Sequence, residues 1–141
     1  MAYSGFTLDE VAEKFALKVR EGSMLSDAEA IAPSPWLRET LAKYRAMAFI
    51  SEKSRNEFVI APILIACREL LNNEVYFYSG ITLDVDPARG LNGECDFLFS
   101  FTAPTPILEA PFLAVVEAKK DDVYRGLGQC AAQMIAARIF N

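Results

Sequence analysis

Apolar positions change their spacing twice along this chain. Up to about residue 73 they recur at helical intervals. Thr7, with Glu10 three residues on, opens a first helix over Leu8, Val11, Phe15 and on towards Leu17 and Val19. Residues 20–33 read as a linker or weak turn. "SPWLRETLAKYRAMAF" supplies a Ser34 cap, Pro35 at the first helical position and a helix to about residue 49. "SRNE" at 54–57 reads as a capping box, and "FVIAPILIACRELL" follows with nearly all-round apolarity. Pro62 inside that run predicts a kink or a break costing about 3 kcal/mol, and Asn72-Asn73 ends the helix.

The period then becomes two. Residues 74–86, "EVYFYSGITLDVD", predict a strand bent at Gly80. "PARGLNG" is a turn. In "ECDFLFSF", alternation places Cys95, Phe97, Phe99 and Phe101 on one face and Asp96, Leu98 and Ser100 on the other. A proline-rich link leads to "FLAVVEAKK", a core strand ending in charge. Helical spacing returns in "VYRGLGQCAAQMIAARIF", capped by Asp121 or Asp122. Short links between the strands favour antiparallel neighbours. The expected class is α/β in the α+β sense: helix, three strands, helix, preceded by two extra N-terminal helices. Residues 1–50 would be a helical extension and 51–141 the core of one compact domain.

Composition narrows the chemistry. The chain has 141 residues, 52% of them hydrophobic and 23% charged, which fits one domain with a real core. A formal net charge of −5 argues against holding nucleic acid by charge alone, though not against a local basic cleft. Histidine is absent, so the chain contains no Ser–His or Cys–His pair and no histidine metal site. Cys67, Cys95 and Cys130 stand far apart among apolar neighbours, the pattern of reduced core thiols in a cytoplasmic protein. The longest apolar run is too short to span a bilayer.

The strand end "EAKK" carries the candidate chemistry. Glu117 and Lys119 share a strand face, and an antiparallel pairing of 94–101 with 112–119 brings Asp96 close to Glu117. Two carboxylates on neighbouring strands form an oxygen-rich pocket suited to Mg²⁺ or Mn²⁺. A lysine beside them can orient water or offset charge on a phosphate. The plain alternative is a solvated strand end with a cross-strand ion pair of little worth. Lys120, on the other face, is a surface residue or a phosphate contact, and Arg125 a solvated arginine.

The combination "GECDFLFS…FLAVVEAKK…GQCAAQ" resembles the PD-(D/E)-x-K nuclease superfamily, the restriction-endonuclease-like fold, over about residues 54–138. The helix–strand order is similar to the N-terminal nuclease region of type I restriction subunits. Asp96 matches the family's first acid, with Cys95 where proline is expected, and Glu117-Ala118-Lys119 matches the (D/E)-x-K. Glu57 matches the acid of the first core helix, although its capping-box position alone explains a glutamate. Gln129 matches the last-helix glutamine of RecB-like branches, and Gln133 stands where those carry an aromatic. The resemblance implies a Mg²⁺-dependent nuclease acting on DNA. Asp96, Glu117 and the Ala118 carbonyl would hold the metal, Lys119 would position or activate water, Glu57 would support a metal-bound water, and Gln129 would orient the attacking end. Its rival is an inactive relative kept as a binding or assembly module. The family's last core strand is missing after residue 140, so a homodimer covering the final helix or the sheet edge is expected.

Overall fold

The computed structural model describes residues 2–23, 25, 27–47, 50–119 and 122–141. Among them the chain is mixed α+β. Its helices are α1 (Leu8–Lys14), α2 (Pro35–Tyr44), α3 (Glu52–Arg55), α4 (Ala61–Leu70) and α5 (Val123–Phe140). A π turn, Asn56–Ile60, joins α3 to α4 without a break, so four helical rods result. The strands β1 (Tyr76–Thr82), β2 (Glu94–Ser100) and β3 (Phe112–Val116) form one antiparallel sheet in the order β1-β2-β3. No helix among the described residues is long and apolar enough to cross a membrane.

Local chemistry explains most boundaries. Thr7 and Glu10 close a reciprocal capping box at the start of α1. The helix ends at Lys14, and Leu17 and Val19 lie beyond it, exposed. Ser34 accepts a hydrogen bond from the Leu37 amide at 3.2 Å, and α2 stops at Tyr44, short of the expected residue 49. Residues 48 and 49 lie outside the described residues. Asp122 caps α5 by accepting from the Tyr124 amide at 3.0 Å; Asp121, the other candidate, lies outside the described residues.

Two expectations are corrected in the central helix. The capping box is Ser51–Ser54, three residues earlier than "SRNE" suggests, because Ser51 rather than Ser54 takes the extended N-cap conformation. Pro62 does not break the rod, which continues through it from the π turn into α4. Its ring would crowd the carbonyl four residues back, and the π turn widens the helix over those residues.

The sheet separates two apolar clusters. On one side Tyr3, Phe6 and Val11 pack with Leu98, Ala132 and Ala136; on the other Leu64 and Val75 pack with Phe97 and Phe99. The alternation expected for β2 fails at Cys95, which is buried with Leu98 and not with the phenylalanines. The break falls at Asp96, across from which Gly80 has φ +61°, a backbone turn that re-aims the strand end. Phe101 lies past the strand and is exposed. The N-terminal turn and α1 pack directly on α5. Covering that the sequence assigned to a second copy is therefore supplied within the chain for Ala132, Ala136 and Ala137.

Candidate functional site

The register of β2 and β3 sets the site. Phe97 pairs with Val116, so the next position outward sets Asp96 opposite Glu117, one residue past the end of β3. Both line one cavity of about 310 Å³ with Glu52, Glu94, Lys119, Gln129 and the N-terminal residues Ala2, Tyr3 and Ser4.

Each carboxylate is gripped from a different helix. Asn56, first residue of the π turn, donates its amide to Asp96 Oδ1 at 2.9 Å, and the Ala118 backbone N–H donates to Oδ2 at 2.8 Å. The Glu117 side chain is only 5% exposed. Lys119 Nζ donates to its Oε1 at 2.7 Å, Gln129 Nε2 donates to the same oxygen, and Gln133 Nε2 donates to Oε2 at 2.8 Å. Gln133, itself fully buried, also donates to the Glu94 carbonyl at 3.3 Å. The amide oxygens of Asn56 and Gln133 are buried without a protein donor. An unpaired buried acceptor costs about 1–3 kcal/mol, so fold stability alone would not choose amides here.

Glycine makes the room. A methyl at Gly126 would lie 2.7 Å from Lys119 Cγ, and one at Gly128 would lie 2.4 Å from the Phe6 carbonyl oxygen. The helix thereby presses against both the lysine stem and the N-terminal wall of the cavity.

Electrostatics assign roles. Burial pushes the Glu117 carboxyl above its ordinary value; bonds from Lys119 and Gln133 pull it back only in part, while Asp96 pushes it further up. For Lys119 burial is the largest single influence and works downward, but the bond to Glu117 and the attraction of Glu117, Glu52 and Asp96 together outweigh it and raise the pKa. The balance favours the ammonium, which donates to Glu117. The Cys95 thiol, buried beside Glu117, is pushed up to about 12 and is no nucleophile.

The structure brings Asp96, Glu117, Lys119 and Gln129 together and leaves Glu57 out. The Glu57 side chain is 52% exposed and lies 4.0 Å from Lys53 one turn away. The helix acid that does line the cavity is Glu52, 3.8 Å from Lys119 Nζ. The displaced capping box and the π turn rotate the positions that a regular helix from Ser54 would present. Lys120 lies outside the described residues. Sequence reasoning missed Asn56, Gln133 and Glu52. The spacing of Gln129 and Gln133, four apart on one helix face, was a readable signal for the second; nothing marked Asn56 before the π turn was known.

A hard divalent cation fits the donor set. Each carboxylate oxygen has two acceptor sites. After the bonds above, one remains on each Asp96 oxygen and one on Glu117 Oε2. Among the described residues no group of three or more His, Cys, Asp or Glu could hold a metal ion. Mg²⁺ commonly uses just one or two carboxylates, completing its shell with water and substrate phosphate. No protein-family model, curated protein or solved structure matches this chain.

Proposed function

We propose that this chain is a Mg²⁺- or Mn²⁺-dependent phosphodiesterase acting on DNA, on a restriction-endonuclease-like core. The observation that carries the reading is the pairing of Asp96 with a buried Glu117 across adjacent strands, with the Lys119 ammonium bonded to that same glutamate. Asp96 and Glu117 would hold the ion. When bound, it supplies charge neutralisation on the phosphate and an acidified water.

The protein's own groups do the positioning. Gln129 and Gln133 fix the Glu117 carboxylate from the helix side, and Asn56 with the Ala118 N–H fixes Asp96, so neither acid must reorganise as charge develops. Lys119, an ammonium, orients the attacking water or a non-bridging phosphate oxygen by donating to it. A second reading, an inactive binding or assembly module, is favoured by the cavity's charge: four carboxylates (Glu52, Glu94, Asp96, Glu117) against one amine. Self-association, in either reading, would use an outer strand of the sheet, such as β3 beside Leu113, Met134 and Arg138.

The deciding assay is cleavage of single-stranded and duplex DNA with Mg²⁺ or Mn²⁺. The proposal expects activity that Glu117→Gln abolishes and that Lys119→Ala slows without loss of metal binding. Cleavage equal in wild type and both variants assigns it to a contaminant; no cleavage by pure wild type with either ion favours the module.

A further inference from the structure

We infer that Tyr124 and Arg125 form a stacking platform for single-stranded nucleic acid leading into the site, an inference that rests on the phosphodiesterase reading. Three cavities lie in a row. The site cavity shares Ser4 with one of about 520 Å³ lined by Phe6, Thr7, Leu8, Tyr124 and Arg125. That one shares Phe6 with a third, lined by Glu10, Glu13 and Lys14.

Charge selects the direction a phosphate chain can take. The site cavity is acidic and the third cavity carries two carboxylates and one amine, whereas among the described residues the middle cavity has Arg125 as its sole charged lining residue. Arg125 lies 3.4 Å from Asp122, but its side chain is 87% exposed, so the pair is weak and the guanidinium keeps donors for a phosphate. Beside it Tyr124 is 82% exposed, an aromatic face open to a stacking partner.

The net charge of −5 decides between duplex and single strand. Duplex binding depends on many phosphate–cation contacts, and among the described residues this path offers two cations, Lys119 and Arg125. Stacking on an aromatic ring needs an unpaired base, which a single strand offers and a duplex does not. The chain therefore recognises an unstacked base over Tyr124, with its phosphate on Arg125 and the strand continuing past Ser4 towards the acids.

The test is fluorescence anisotropy of a labelled oligothymidine with the full chain in Ca²⁺. Tyr124→Ala should weaken binding about ten-fold, and Tyr124→Phe, which keeps the ring, should restore it. An oligonucleotide with abasic sugars should bind wild type and Tyr124→Ala alike. The salt slope should be shallow, about −1.4 for two cations. Unchanged binding by Tyr124→Ala, or loss in Tyr124→Phe as severe as in the alanine variant, overturns the platform. The phosphodiesterase reading is checked separately, by wild-type cleavage of bis(p-nitrophenyl) phosphate, a small diester that needs no platform. If that cleavage occurs while Tyr124→Ala binds normally, the platform alone is wrong.

Discussion

The two helices that flank the sheet meet it in different ways. On the α4 side, branched and aromatic residues (Ile60, Leu64, Phe97, Phe99) fill the interface, and one polar group, Asn56, reaches Asp96 from the π turn. On the α5 side small residues draw the backbone close: Gly126 to the Lys119 stem and Gly128 to the Phe6–Thr7 backbone, with Ala132 and Ala136 buried in the core. Close approach lets two long amides, Gln129 and Gln133, reach Glu117 from a single helix face. Bulk secures the fold on one side, and smallness delivers polar groups on the other.

That contrast is open to breaking, and Gly128→Ala should do so most severely. Its methyl would sit 2.4 Å from Phe6 and Thr7 backbone atoms, which cannot swing aside as a side-chain tip can. About 3 kcal/mol should be lost in urea unfolding, with the N-terminal wall displaced. Gln133→Leu comes next, at about 2 kcal/mol, because it strips a charge-assisted bond from a buried carboxylate. Asn56→Leu should cost less, about 1 kcal/mol, since the Ala118 N–H still holds Asp96.

The pH dependence sharpens the Glu117 half. Its pKa is raised above the ordinary 4.5, so the folded chain binds that proton more tightly than the unfolded chain. The associated stability is present below 4.5 and lost as pH rises through the folded value. Thermal melts of Glu117→Gln should show a flatter decline with rising pH across that window than wild type. Glu57→Gln, on the exposed pair with Lys53, should change stability least, by under about 0.5 kcal/mol.

The sequence carries the charged strand end and the last helix, but not the strand's burial. "FLAVV" reads as a core strand, whereas β3 is an outer strand with Phe112 buried and Leu113 and Ala114 exposed; α5 runs from Val123 to Phe140 as its pattern predicts. Antiparallel register then sets Asp96 across from Glu117. What was illegible depended on backbone irregularity. A π turn has no periodic signature of its own, so the phase of α3 and α4, and with it the choice between Glu52 and Glu57, was hidden. Gly80 marked a bend but not its effect on Cys95. The packing of Tyr3, Phe6 and Val11 on α5 is long-range, and no local pattern around residues 1–15 announces it.

The proposed function requires Asp96 and Glu117 jointly to hold one divalent ion. Mn²⁺ binding measured by electron paramagnetic resonance tests it without requiring turnover. The account predicts one bound Mn²⁺ per wild-type chain, displaced by Mg²⁺, lost in Asp96→Asn and in Glu117→Gln, and retained in Glu57→Gln. Absence of bound Mn²⁺ in wild type, or its persistence in both site variants, would contradict it.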